Sequence, residues 1–354
     1  MSLVQPSNIA PYAPVLVGSR TGPRRPWLRR WISPALRLAV SVTLVAVVCR
    51  HIDTAGLARQ FVAQSPVWLI VAALATLAQI GIAAMRWRET LLGLRVATPS
   101  GTALAVTYMA SFFNCWLLGT MGGDAARALL APAGKRGRAT IVHSVLLDRV
   151  MSFAGMGLVI LPLAVFGVGP LARSLPLMVS LVVALLPLVL LPVLAPMSHL
   201  ISGFRIPFAG LLVGLAGNWR RLCSERRRLA AALALATIST LAISATAWCL
   251  GRAQNLDVTF VDFLMLMPPV VLLSGLPISV GGWGVREGAM IAALATVGVG
   301  ASAAAMLSIQ MGGLVAVLSL PGGALWLWRQ MASARTLATA PCSAAEIAIP
   351  QGPA

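Results

Sequence analysis

Residues 229–250 read LAAALALATISTLAISATAWCL, from Leu229 to Leu250, without one charged side chain. About 20 consecutive apolar residues cross the hydrocarbon core of a bilayer as a helix, so this stretch has the length and character of a membrane span. Working outward, comparable runs cover Pro66–Met85, Leu175–Pro196 and Ala303–Trp328. Pro162, Pro187 and Pro192 fall inside apolar runs. Membrane helices tolerate such prolines when neighbours or waters satisfy the freed carbonyls. The whole chain is 58% hydrophobic and 10% charged, with a mean hydropathy of +0.88. A soluble domain carries about a quarter charged residues. The fold class expected is therefore an all-α polytopic membrane protein.

The net charge is +18, and of the 27 basic residues every one but Lys135 is arginine. In a soluble chain a pI near 11.7 would point to nucleic acid. In a membrane chain basic residues mark cytoplasmic loops and meet anionic headgroups, so no nucleic-acid partner is expected. The cysteines (Cys49, Cys115, Cys223, Cys249, Cys342) and histidines (His51, His143, His199) are scattered without ligand spacing. No metal site and no cofactor are expected. Residues 1–32 are Pro-rich and basic and read as a disordered cytoplasmic tail before a retained first helix, Ser33–Cys49. Residues 33–330 read as the transmembrane domain and residues 331–354 as a disordered C-terminal tail.

Loop charges give the threading, because arginine prefers the cytoplasmic side. The basic N-terminus starts inside, His51–Ser65 lies outside, and Arg86–Gly101 lies inside. Gly134–Arg138 and Arg205–Arg228 are both basic and both belong inside. They can do so only if Ala103–Gly119 dips into the membrane and returns on the same side. Polar Thr107, Tyr108, Ser111 and Asn114 suit such a dip, since non-helical backbone at membrane depth is allowed where it lines a cavity. The count expected is six spanning helices plus two re-entrant regions, nominally eight, with both termini cytoplasmic in a cell inner membrane.

The two re-entrant regions share a motif. Gly122-Gly123-Asp124-Ala125-Ala126-Arg127 and Gly281-Gly282-Trp283-Gly284-Val285-Arg286 are both GGxxxR. Three crossings separate them, so they enter from opposite faces, as in inverted repeats whose broken helices build a midplane site. Paired glycines let backbone approach a ligand. A helix starting after them offers free N–H groups and a positive dipole end, and an arginine one turn in adds a fixed cation. The competing reading is packing through the small-residue pairs Gly119/Gly123 and Gly284/Gly288.

Asp148-Arg149 lies among apolar residues, where a charge costs about 2.5–3.5 kcal/mol even on insertion scales. Adjacent residues point apart on a helix, so each needs its own partner, and Arg127 or Arg286 is expected for Asp148. Asp124 and Glu287 are the remaining acids at the motifs. A structural ion-pair network is the alternative role for these charges. Arg86-Trp87-Arg88 reads as ordinary interface anchoring, with a lipid phosphate as an open option there, and Arg226-Arg227-Arg228 as a topological signal.

At Phe112-Phe113-Asn114, Gly122-Gly123-Asp124-x-x-Arg127, Leu147-Asp148-Arg149-Val150 and Pro277-x-Ser279-x-Gly281-Gly282-Trp283-Gly284-Val285-Arg286-Glu287-Gly288, the sequence resembles the lysylphosphatidylglycerol synthase transmembrane region, or flippase-like, family. The resemblance spans about Leu36–Trp328. It implies a multi-span inner-membrane protein that moves a lipid, or a lipid-linked headgroup, between leaflets. Full-length synthases of that family carry a large soluble catalytic domain after the membrane region. This chain leaves no room for one, so synthase activity is not expected.

The function expected is translocation of a phospholipid or lipid-linked anionic headgroup. No GxxxxGK[ST] loop occurs, so ATP would not be its own energy source. Candidate substrate-binding residues are Asn114, Gly122, Gly123, Asp124, Arg127, Asp148, Arg149, Ser279, Gly281, Gly282, Arg286 and Glu287, with no catalytic residue assigned. Two alternatives stay open. One is a membrane-embedded transferase acting on a lipid carrier, using Asp124, Asp148 and Glu287 as base or metal ligands. The other is a secondary transporter of a small solute. The partners implied are an anionic lipid or lipid-linked substrate, the membrane itself and, as an open option, further copies of the chain in a homo-oligomer.

Overall fold

A computed structural model of the chain describes residues 64–116, 120–132, 136–168, 174–203, 209–275 and 283–339. Among them are ten helices and no strand. In order they are α1 (Pro66–Gly93), α2 (Ser100–Trp116), α3 (Thr120–Leu130), α4 (Gly137–Val165), α5 (Leu175–Gly203), α6 (Ala209–Ser224), α7 (Arg226–Ala253), α8 (Phe260–Ser274), α9 (Val285–Ala295) and α10 (Ala301–Thr339). Helices α1, α4, α7 and the Ala301–Ala332 part of α10 are long and apolar enough to cross a membrane. Leu175–Leu191 and Phe260–Ser274 are shorter apolar helices. The expected first helix, Ser33–Cys49, and the N-terminal tail lie outside the described residues.

The element order repeats. Helices α1 and α7 both have 28 residues, α2 has 17 against 15 in α8, and α3 and α9 both have 11. A long helix then follows in each half. The two 28-residue helices even stop in the same way. Arg95 (φ +60) and Asn255 (φ +58) take the left-handed conformation just past their ends. Val96 N–H then reaches back to Leu91 O at 2.9 Å, and Leu256 N–H to Gly251 O at 2.9 Å. Both are Schellman ends, which satisfy the last carbonyls of a helix.

Two apolar cores hold the helices, each drawing residues from both halves. Trp87, Leu91, Met109, Ile141, Leu147 and Met151 anchor the first, and Leu250, Phe263, Met290, Leu294 and Leu307 the second. Helices α1 and α7 pack on each other between them. At the start of α7, Arg228 donates to Glu89 of α1 at 2.7 Å, so the Arg226–Arg228 run carries a specific contact as well as a topological charge. Where α2 meets α10 the backbones approach closely: a Cβ on Gly322 would overlap the Tyr108 carbonyl. Pro162 lies inside α4, which runs on without a break.

Two expectations need correction. The basic stretch Arg205–Arg228 is not merely a loop, because it contains α6. Trp219 and Leu222 of that helix are buried in the first core, a pattern masked in the sequence by its arginines. The C-terminal tail does not begin at residue 331, since α10 continues to Thr339 through good helix formers with no Gly or Pro. The basic segment before α4 also has a structural use. Arg138 donates to the carbonyls of Ala128, Leu129 and Ala131 at 3.1, 2.9 and 2.8 Å, capping the end of α3.

Candidate functional site

The site is built where the two short helix pairs, α2–α3 and α8–α9, meet the long helices. Asp148, in α4, is 2% exposed. Its Oδ1 accepts from Arg86 Nε at 2.8 Å, and its Oδ2 accepts from Arg86 Nη2 at 3.1 Å and Arg127 Nη1 at 3.0 Å. One carboxylate therefore neutralises two guanidinium groups only in part, and the triad keeps a surplus positive charge. Arg127 also lies over the Trp87 ring, its Cζ 5.4 Å from the centroid, and its Nε is buried without a hydrogen-bond partner. Its neighbour pair is separate: Arg149 Nε donates to Asp124 Oδ2 at 2.7 Å. Asp148 and Arg149 thus take different partners, as adjacent residues on a helix must.

The glycines of the first motif do not precede their helix. Helix α3 begins at Thr120, so Gly122 and Gly123 form its first turn and are buried. The Gly123 N–H donates to Asn114 Oδ1 at 2.8 Å. A Cβ there would overlap the Asn114 side chain, which gives the glycine its reason. One N–H in the first turn of α3 is thus satisfied from α2.

The second motif differs. Ser279, Gly281 and Gly282 lie outside the described residues. Gly284 has φ +86, a conformation in which glycine avoids the Cβ penalty, and α9 starts immediately after it. Glu287, 3% exposed, turns back on its own helix end. Its Oε2 accepts from Gly284 N at 2.5 Å, and its Oε1 accepts from Arg286 Nη2 at 2.8 Å and Ser308 Oγ at 3.2 Å. Arg286 Nε donates to the same Ser308 hydroxyl at 3.2 Å, and its Cζ sits 4.9 Å from the Trp283 ring centroid. Gly312 of α10 leaves the room, since a Cβ there would overlap the guanidinium. Nothing lies within 4 Å of a Cβ placed on Gly288, so that glycine is not there for close packing.

A single cavity of about 1050 Å³ takes in both sets. Arg86, Asn114, Asp124, Arg127, Asp148 and Arg149 line it from the first half and Arg286 from the second. Four arginines face two aspartates there, and Glu287 takes up Arg286 from behind the wall, so the site keeps a surplus of one positive charge. Thr107 Oγ1, on the same wall, is buried without a partner. A cavity with several guanidinium groups and a surplus positive charge favours an anion that can accept several N–H bonds, such as a phosphate ester.

A family model, lysylphosphatidylglycerol synthase TM region, matches residues 35–323. The chain belongs to this family. The match and the long apolar helices together make it a multi-pass membrane protein with a lipid-related role. The family's stretch in this chain contains both helix pairs and every residue of the cavity named above. No match was found among curated proteins.

Sequence reasoning missed Arg86 and Trp87. Interface anchors would be exposed, yet Arg86 is 7% exposed and Trp87 fully buried, because α1 runs on to Gly93 and carries them inward. Arg286 pairs with Glu287, not Asp148. Ser308, which joins that pair, had no signal in the sequence.

Proposed function

We propose that this chain moves a lipid with an anionic headgroup between the leaflets of a cell inner membrane, without hydrolysing ATP itself. In this reading six helices span, counting Ser33–Cys49. The pairs α2–α3 and α8–α9 are re-entrant hairpins of two inverted repeats, and both termini are cytoplasmic. The observation that carries the reading is the shared cavity, in which Arg127 of one hairpin and Arg286 of the other face the same space. A headgroup phosphate held by one arginine could pass to the other as the halves rock, which is how inverted repeats give alternating access. The reading is transport, not catalysis.

Phospholipid scrambling in proteoliposomes, read by dithionite access to a fluorescent headgroup, tests it. Arg127→Gln and Arg286→Gln, each verified as folded by size exclusion, should each slow translocation by at least about tenfold. A wild-type protein that moves no anionic lipid, with or without a proton gradient, would sink the reading.

A further inference from the structure

Thr107, in the middle of α2, carries a hydroxyl that nothing around it uses. The residue is 1% exposed and lines the cavity, yet its Oγ1 has no hydrogen-bond partner. A threonine inside a helix commonly donates to the carbonyl four residues back. Three other threonines on the same wall do so: Thr76 to Ala72 O at 2.8 Å, Thr240 to Ala236 O at 3.1 Å and Thr246 to Ala242 O at 3.0 Å. Thr107, Ser111 and Asn114 recur at the spacing of one helix face. Ser111 donates to the Thr107 carbonyl at 3.0 Å, and Asn114 accepts from Gly123. The Thr107 hydroxyl is left as the buried open donor of that face. Buried polar groups are nearly always paired, so an open one on a cavity wall marks a place for a ligand atom.

Arg127, on the helix that packs against α2, supplies a second open donor. Asp148 engages its Nη1, whereas its Nε is buried without a partner. The guanidinium is held in this orientation from below. The Trp87 ring lies under it, Trp87 Nε1 donates to Ser144 Oγ at 3.2 Å, and Ser144 donates to Ile141 O at 2.7 Å. Arg286 offers no such edge, because Ser308 takes its Nε and Glu287 its Nη2. In the register that matches Arg95 with Asn255, Thr107 corresponds to Met267, which has no donor.

Resting on the anion-site reading above, we propose that Thr107 is a ligand-binding residue, whose hydroxyl donates together with Arg127 Nε–H to one phosphate group, borne by a lipid headgroup or by a soluble ester. The guanidinium supplies the charge-assisted bond, and the hydroxyl, fixed on a different helix, sets where a second phosphate oxygen lies. This two-donor subsite belongs to the first half alone. The anion therefore rests at the first hairpin in the conformation described.

Isothermal titration calorimetry on the full-length protein in detergent tests this with two probes that carry the same phosphate, sn-glycerol 3-phosphate and dioctanoyl phosphatidic acid. Thr107→Val keeps the shape and removes the hydroxyl. It should weaken whichever probe the wild type binds by about 10–100-fold. The unliganded variant should melt at the same temperature as the wild type or higher, because a buried open hydroxyl has been removed. Thr107→Ser should bind as the wild type does. Thr240→Val, whose hydroxyl serves its own helix, should leave affinity unchanged. A loss common to both probes assigns the subsite to the phosphate alone, and binding confined to the lipid probe assigns it to a headgroup; either supports the proposal. Equal affinity of wild type and Thr107→Val overturns it. So does a lowered melting temperature of Thr107→Val with affinity kept, an equal loss in Thr107→Ser, or undiminished binding in Arg127→Gln. If Arg127→Gln abolishes binding while Thr107→Val does not weaken it, the anion site stands without Thr107. If the wild type binds neither probe, the anion site itself is wrong and the role of Thr107 falls with it. A wild type that binds through Thr107 yet moves no lipid in liposomes keeps this proposal and removes translocation.

Discussion

The two halves of this protein repeat the same elements but hold their motif arginines by different means. Arg127 is tied across helices: its carboxylate partner belongs to α4, and that carboxylate is shared with Arg86 of α1. Arg286 is tied to the next residue in its own helix, Glu287, with a hydroxyl from α10. The first hairpin is clamped to the body of its half, whereas the second carries most of its electrostatic support with it. A repeated backbone therefore does not impose a repeated charge network.

The largest expected effect follows from this contrast. Asp148→Asn keeps the shape but leaves Arg86 and Arg127 facing each other in a buried site. Removing one partner of a buried ion pair costs about 3–5 kcal/mol. Glu287→Gln removes one charge beside one arginine and keeps an amide able to cap Gly284, so about 1–3 kcal/mol is expected. Denaturation in detergent, read by tryptophan fluorescence, compares the two. Equal losses would mean that both hairpins are clamped alike.

How far this contrast is legible in the sequence depends on the range of the interaction. The helices follow from apolar length, and the GGxxxR pair marks the two hairpins. Adjacency alone forces Asp148 and Arg149 to seek different partners. The identity of Arg86 as the second partner of Asp148 does not follow, because nothing in Arg86-Trp87-Arg88 distinguishes a snorkelling arginine from one carried inward by a helix that continues to Gly93. The same holds for α6. Its arginines dominate the local composition, while the buried Trp219 and Leu222 become visible only against the residues they meet. The glycines were legible as tight positions, but their cause was not. Gly123 makes room for an amide in its own half, and Gly284 takes a left-handed turn.

Gly312 sharpens the comparison at a middle scale. It has no motif, yet a Cβ there would overlap the Arg286 guanidinium. Gly312→Ala should therefore cost about 1–3 kcal/mol through overpacking and slow lipid translocation by displacing Arg286. Gly288→Ala, inside α9 with open space at its Cβ, should be neutral or stabilising by up to about 1 kcal/mol. The paired measurement is thermal unfolding together with the liposome assay. If Gly288→Ala proves the more damaging of the two, the second hairpin is held by helix packing and the electrostatic contrast between the halves loses its basis.

The smallest effect tests whether the repeat is real at the level of single residues. Arg95 and Asn255 occupy matching positions, each left-handed and each followed by the same return hydrogen bond. A left-handed residue with a Cβ costs about 1–2 kcal/mol, and asparagine bears this better than arginine because its short polar side chain bonds locally. Arg95→Gly should then stabilise by about 0.5–1 kcal/mol, and Asn255→Gly by a few tenths at most. The Arg95–Glu225 contact, 3.5 Å with Arg95 70% exposed, is too solvent-screened to reverse that order. Chemical denaturation of the two single variants reads the difference. A gain at Arg95 that exceeds the gain at Asn255 means that the two halves share one backbone, on which sequence has diverged unequally. Equal gains would mean that the turns are held by their surroundings, and that the likeness of the two helix ends reflects packing, not a common local code.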